Sequence, residues 1–276
     1  MTADDAGPSP RGLAGVVLAA GLGTRLRPLT NLRPKALCPI GGTPLLDLAL
    51  QRLEPICGRG SERVAVNAHH HAEQVVAHVG ERAFVSVEAA QPLGTAGALG
   101  RLRGWLAGRD VLLTNADAYL LGSLDELVEG WDGDRCRLLV VDTGEPSDFS
   151  TCRYVGACLL PWRLVSGLSD EPSGLYELLW RPEDDAGRLE LVRFSGTAVD
   201  CGTPTDYLAA NLLASGGESV VGEGAVVEGA ITRCVVWDGA YVGPDEELVE
   251  VIRAGTRTHP LTVPASPHPP HPPEVR

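Results

Sequence analysis

The sequence predicts an α/β protein, a doubly wound and mostly parallel sheet followed by a short β-helix stub. Three observations predict it. Short apolar runs alternate with helix-like stretches from residue 14 to about residue 194, the order of strands and crossover helices in a parallel sheet. The first run, Val16 to Ala20, is continuously apolar and stops at Gly21, as a strand buried on both faces does. After Gly216 the texture changes to glycines, small residues and aliphatics at near-hexapeptide spacing, the pattern of a parallel β-coil.

Taken in order, residues 1–12 are polar, contain Pro and Gly, and are expected to be a disordered lead. Strands are expected at 14–20, 63–68, 84–89, 111–115 and 137–142, with helices at 44–53, 72–79, 96–106 and 124–131 between and after them. Two further strands follow at 155–160 and 189–194, with helical spacing at 175–180 between them. A helix at 205–214 is opened by Thr203 and Pro204, a capping residue followed by a proline in the first helical position. The main domain is therefore 13–216 and the stub 217–257. The stub has room for about two turns, fewer than the ~3 repeats that stand alone, so it must dock on the main domain. Residues 258–276 are rich in Pro and His and are expected to be a disordered tail.

Composition excludes several function classes. A net charge of −13 argues against a general nucleic-acid binder, since no basic stripe is present. No apolar segment reaches the ~20 residues of a membrane span, and the acidic start Met1-Thr-Ala-Asp-Asp lacks the apolar core of a secretion signal. Seven cysteines without a Cys-x-x-Cys pair point to reduced thiols and a cytoplasmic location rather than to a disulfide or zinc framework.

Against this acidic background, Arg25, Arg27, Arg33 and Lys35 crowd into one loop after the first strand, which marks a local anion site. Lys35 is the only lysine in the chain. An ammonium is a compact point charge suited to a single phosphate oxygen, which the planar guanidinium fork is not. Gly21 and Gly23 let a ligand approach the backbone without a Cβ in the way, and amides exposed after such a turn form an anion-binding concavity. The loop is not a P-loop, because the Gly-Lys-Ser/Thr ending is missing. Nor is it the dinucleotide fingerprint, since Leu26 stands at the third glycine position.

The stretch Gly21-x-Gly-Thr-Arg-Leu-Arg-Pro-Leu-Thr, with Arg33-Pro-Lys35-x-Leu after it, resembles the sugar-1-phosphate nucleotidyltransferases, the NDP-sugar pyrophosphorylases. Pro92-Leu-Gly-Thr-Ala-Gly97, Asn115-Ala-Asp117 and Asp200-Cys-Gly-Thr-Pro204 follow in the family's order, so the resemblance covers roughly residues 13–250. It implies a Rossmann-like nucleotidyltransferase domain with a left-handed β-helix extension. It also implies a nucleoside triphosphate and a sugar 1-phosphate as substrates, Mg2+ as cofactor, and pyrophosphate as a product.

Carried over residue by residue, the resemblance makes Arg25 and Lys35 the catalytic cations and Asp117 and Asp200 the metal ligands. Leu18, Ala19, Gly21, Gly23, Thr24, Gln91, Gly94 and Thr95 match or flank its nucleotide-reading loops. Gly156 and Glu177 are the counterparts of its sugar contacts. There the chain departs from the pattern: Val155 occupies the position of a polar residue, and no lysine follows Glu177, where Arg181 stands in reach. Ala116 replaces a usual glycine, a change that is costly only if φ there is positive. Two rival readings remain open, a non-catalytic regulator that binds NDP-sugar and a cytidylyltransferase for a non-sugar phosphomonoester. A homo-oligomer through the C-terminal extension is also left open.

Overall fold

A computed structural model describes residues 12–265. Their contacts divide into two units: the described residues up to Gly21 together with Leu46–Ala198, and Leu22–Leu45 together with the described residues from Val199 onward. The lead expected at 1–12 lies outside the described residues except for Gly12, as do residues 266–276 of the expected tail.

The first unit is built on a seven-stranded sheet. Its strands are β1 (Ala14–Leu18), β2 (Val64–Ala68), β3 (Phe84–Val87), β4 (Val111–Asn115), β5 (Cys136–Asp142), β6 (Cys152–Leu160) and β7 (Leu189–Arg193). Their spatial order is β7-β5-β6-β4-β1-β2-β3. β1 pairs in parallel with both β2 and β4, while β6 is antiparallel to β4 and β5. The continuous apolar character of β1 has the expected cause: Ala14, Val16 and Val17 are all inaccessible to solvent. The helices that matter for the site are α1 (Leu45–Cys57), α2 (Ala72–Val79) and α3 (Gly94–Leu106). One face of the sheet, including Val16, Leu113, Leu138 and Cys158, forms a core with Leu99, Leu102 and Leu106 of α3 and with Leu175 and Trp180.

Two expected helices differ in extent. The stretch at 124–131 is a single turn, Asp125–Val128, and Glu129 leaves it with extended ψ before Gly130 turns at positive φ. The stretch at 175–180 is a π-helical turn, Tyr176–Trp180, running on into Arg181–Asp185.

The second unit holds the arginine-rich loop, the short hairpin Pro39–Ile40 with Thr43–Pro44, the helix α4 (Pro204–Ala214), and the C-terminal strands. Thr203 caps α4 as expected, its hydroxyl oxygen accepting from the Asp206 N–H at 3.2 Å. Beyond α4, short strands stack in three separate parallel ladders. Val220 lies opposite Val235, Val226 opposite Tyr241 and Ala230 opposite Glu247; Val235 in turn lies opposite Ile252. Aliphatic residues Val236 and Val242 pack inside against Val227, Ile231 and Leu248.

The tail expected from residue 258 begins too early. Pro260–Pro264 is a strand, antiparallel to Val251–Gly255. It covers the last parallel edge, and proline at both ends suits an outermost strand, where a missing donor is tolerated. Composition concealed this, because the stretch carries only Leu261 and Val263 as aliphatics among its prolines.

Candidate active site

In the first unit, Leu18 at the end of β1 lies opposite Asn67 of β2 on one side and Asn115 of β4 on the other. These three strand ends open onto a cavity of about 200 Å³, which is also lined by Ala20, Gly21, Pro92, Gly94, Thr95 and Asp117. The cavity lies outside the carboxyl ends of parallel strands where strand order reverses, the position at which doubly wound sheets take ligands. It is smaller than the ~300–1,000 Å³ of complete small-molecule sites. It suits one part of a larger substrate, and its apolar walls suit the flat face of a base.

A buried network braces this cavity. The Oδ1 of Asn67 accepts from the Ala19 N–H at 2.7 Å, and its Nδ2 donates to Glu88 Oε1 at 2.8 Å. The other carboxylate oxygen of Glu88 accepts from the Leu93 N–H at 2.7 Å. Asn67 and Glu88 are 3% and 2% exposed. The glycine loop after β1 and the loop before α3 are thus tied together through two buried side chains, and the Asn67 amide oxygen and both Glu88 carboxylate oxygens find partners. His69 belongs to the same support, its Nδ1 lying 2.6 Å from the Glu88 carbonyl oxygen.

A second support holds the turn that carries Asp117. Arg52 of α1 donates to Thr114 Oγ1 at 2.7 Å and to the Ala118 carbonyl at 2.9 Å, so it grips the chain on both sides of Asn115–Asp117. Burial pulls the Arg52 pKa down to about 10, which still leaves it charged at neutral pH. Thr114 passes the linkage on by donating to the Gly156 carbonyl at 3.1 Å. Gly156 has φ +94°, and a Cβ there would press against Ala118 at 2.6 Å. Ala116 lies outside the positive-φ region and its N–H donates to the Leu18 carbonyl at 2.9 Å, so the alanine fits this turn without strain.

In the second unit, Arg25, Lys35 and Asp200 meet. Arg25 Nη2 is 3.4 Å from Asp200 Oδ2, and Lys35 Nζ is 3.6 Å from Asp200 Oδ1. Lys35 is 7% exposed, whereas the Arg25 and Asp200 side chains are half exposed or more. A Cβ at Gly202 would meet the Arg25 guanidinium at 2.6 Å, so the glycine of Asp-Cys-Gly-Thr-Pro admits that side chain. Cys38 is a neutral thiol, pushed up to about 12 by burial against the opposing pull of Arg33 and Lys35.

The expected residues therefore divide. Leu18, Gly21, Gly94, Thr95 and Asp117 line the cavity, and Ala19 is locked by Asn67. Gln91 is exposed and not among the lining residues. Gly23 and Thr24 belong to the second unit, where the Gly23 carbonyl accepts from the Thr30 hydroxyl at 2.9 Å. Glu177 is exposed beside Gly174. The hydroxyl of Thr95 accepts from the Leu175 N–H at 2.8 Å, a structural bond within the motif. Glu88 and Arg52 were missed. Arg52 falls three residues after buried Ala49 and seven after buried Leu45, where the helical stripe calls for an apolar residue. An arginine on that stripe was the available signal.

Among the described residues no group of three or more His, Cys, Asp or Glu is able to hold a metal by itself. Mg2+ needs no such group, because one or two carboxylates with phosphates and water complete its shell. Asp117, a hard carboxylate beside the Asn115 amide in the cavity lining, fits that mode.

Residues 15–215 match the family model of the MobA-like NTP transferase domain. An N-acetylmuramate alpha-1-phosphate uridylyltransferase from Caulobacter vibrioides is 30% identical over 233 residues, covering 71% of this chain and 94% of the relative. A glucose-1-phosphate thymidylyltransferase from Streptomyces antibioticus is 29% identical, covering 82% of this chain and 74% of its own. The solved structure of a mannose-1-phosphate geranyltransferase from Thermus thermophilus superposes with a TM-score of 0.69 at 20% identity, over 91% of this chain and 95% of that one. At that identity the likeness is one of fold.

Proposed function

Because the chain belongs to the MobA-like NTP transferase family, we propose that it transfers a nucleotidyl group from a nucleoside triphosphate to a sugar 1-phosphate, releasing pyrophosphate. The observation that carries this is the cavity at the ends of β1, β2 and β4, with the glycine loop, Gly94, Thr95 and Asp117 in its lining.

The reaction asks for positioning and charge neutralisation rather than proton abstraction. A phosphate monoester has its second pKa near ~6 and is already largely dianionic at neutral pH. Its oxygen attacks the α-phosphorus in line, the bond from that phosphorus to the bridging oxygen breaks, and pyrophosphate leaves with the electron pair. Lys35 places one compact positive charge on a phosphate oxygen, and Arg25 offers its fork to the leaving phosphates. Asp117 and Asp200 would hold Mg2+, which when bound neutralises phosphate charge. Asp200 also keeps Lys35 and Arg25 paired, so these cations are held close before substrate arrives. Leu18, Gly21, Gly94 and Thr95 receive the base and ribose. Gly23 and Thr24 continue the loop, and Gln91 reaches the nucleotide from solvent. Gly156 shapes the turn behind the site, and Glu177 faces the sugar. The C-terminal ladders form a short β-helix, and the seven free thiols suit a reducing cytoplasm.

A second reading, a non-catalytic NDP-sugar binder, is favoured by Val155, which is apolar and 7% exposed where a sugar contact is expected. Pyrophosphate release across a panel separates the two. The panel pairs UTP with N-acetylmuramate 1-phosphate, dTTP with glucose 1-phosphate and GTP with mannose 1-phosphate, then crosses all partners. Turnover with at least one pair is expected; calorimetric NDP-sugar binding with no turnover by any pair would leave the regulator as the correct reading.

A further inference from the structure

Lys35 sits in a segment held at both ends by residues that follow it by more than 160 positions, and those residues belong to the same unit. At the front, the Arg33 guanidinium lies 4.4 Å from the ring centroid of Trp237 and its Nη1 lies 3.7 Å from Asp238 Oδ2. At the back, the Pro39 carbonyl accepts from the Tyr207 hydroxyl and from Asn211 Nδ2, and Asn211 Oδ1 accepts from the Gly41 N–H at 3.0 Å. Trp237 joins the two ends, because its Nε1 donates to the Tyr207 hydroxyl oxygen at 3.1 Å.

Trp237 and Tyr207 are 2% and 0% exposed, so the link between the two clamps is desolvated, while Arg33 and Asp238 at the front reach solvent. The extension fixes the tryptophan in turn, with its backbone N–H donating to the Arg253 carbonyl at 2.8 Å. Asp238 is also anchored, accepting from the Glu223 N–H at 3.1 Å. Between the two clamps Lys35 makes a single tight turn with Leu37 and points its Nζ at Asp200.

We propose that Trp237 is a positioning residue for Lys35, and that the C-terminal extension is thereby part of the catalytic apparatus rather than an appended packing module. This rests on the phosphate role of Lys35 proposed above. Removing the extension leaves every proposed catalytic residue in the chain but takes away one of the two clamps on the loop.

The chain's single lysine makes the test direct. In the full-length protein, acetylation of Lys35 by an N-hydroxysuccinimide ester is followed by peptide mass spectrometry, alongside steady-state kinetics. Trp237→Leu keeps an apolar side chain but loses much of the ring's volume, the cation–π contact and the N–H donor. It is expected to accelerate Lys35 acetylation roughly 5–30-fold, the range for losing a desolvated contact of that kind. It should lower kcat while leaving the nucleotide KM little changed. Trp237→Phe, which retains a ring under Arg33, should recover part of both effects. Tyr207→Phe, which removes one oxygen, gives the same readout should Trp237→Leu fail to fold. Wild-type acetylation and kcat in folded variants would overturn the inference. Faster acetylation with unchanged kcat would instead overturn the phosphate role of Lys35 on which it rests.

Discussion

At the scale of single residues, the two clearest tests concern charge of a particular shape. Lys35→Arg keeps the charge but replaces a point donor with a planar fork inside a 7% exposed site. Turnover is expected to fall by ~10²-fold or more, as when one preorganised transition-state donor is removed, and a stopped assay of pyrophosphate release measures it. Asp117→Asn and Asp200→Asn are expected to raise the Mg2+ concentration needed for half-maximal rate and to lower turnover by at least ~10²-fold. Their thermal midpoints should barely move. The Asp200 carboxylate is half exposed and its pair with Arg25 is open to solvent on both sides, a kind of pair worth about 0–1 kcal/mol. Its pair with Lys35, whose side chain is 9% exposed, is 3.6 Å long and solvated on the carboxylate side. Full activity at low Mg2+ in either variant would remove that aspartate from the metal site.

At the scale of elements, α3 shows a glycine motif shared between ligand and packing. A Cβ at Gly94, Gly97 or Gly100 would run into the carbonyl oxygens of Ser173, Glu171 and Ser169 respectively, so the segment 169–173 lies flat on a stripe spaced three residues apart. Gly104, on the same helix, has open space where its Cβ would go. Gly100→Ala is expected to destabilise by about 1–3 kcal/mol through overpacking. Gly104→Ala should stabilise by about 0.5–1 kcal/mol, through lost freedom in the unfolded chain. Calorimetry reads the contrast, at roughly 2–4 °C of Tm per kcal/mol. Equal shifts in the two variants would mean that segment 169–173 does not bear on the helix.

At the scale of the whole molecule, buried thiols set an alkaline limit. Burial raises Cys38, Cys57 and Cys158 from an ordinary 9.0 to about 12, and raises Cys136 further. The folded state therefore holds its thiol protons more tightly than the unfolded chain. That contribution to stability is fully present below pH 9 and is lost as pH rises toward 12. Each thiol removes up to ~1.4 kcal/mol per pH unit in that window. Urea midpoints measured from pH 8 to 10.5 should fall steeply, and Cys158→Ala should make the slope shallower. A flat midpoint over that range would mean that the thiols are solvated.

What the sequence determined by itself was whatever is written locally. The order of strands and helices could be read from apolar periodicity, because the burial that selects Val16, Val66 and Leu113 repeats within each short segment. The glycine loop, the lone lysine and the two aspartate motifs stood out because each is a short pattern complete within a few residues. Tertiary structure decided what depends on contacts between distant segments. It grouped residues 22–45 with the C-terminal strands, made buried Glu88 and half-buried Arg52 the supports of two loops, and turned Pro260–Pro264 into a covering strand. Such roles have no local signature. A buried carboxylate or guanidinium is tolerated only where partners brought from elsewhere satisfy it, and those partners exist only once the chain has folded.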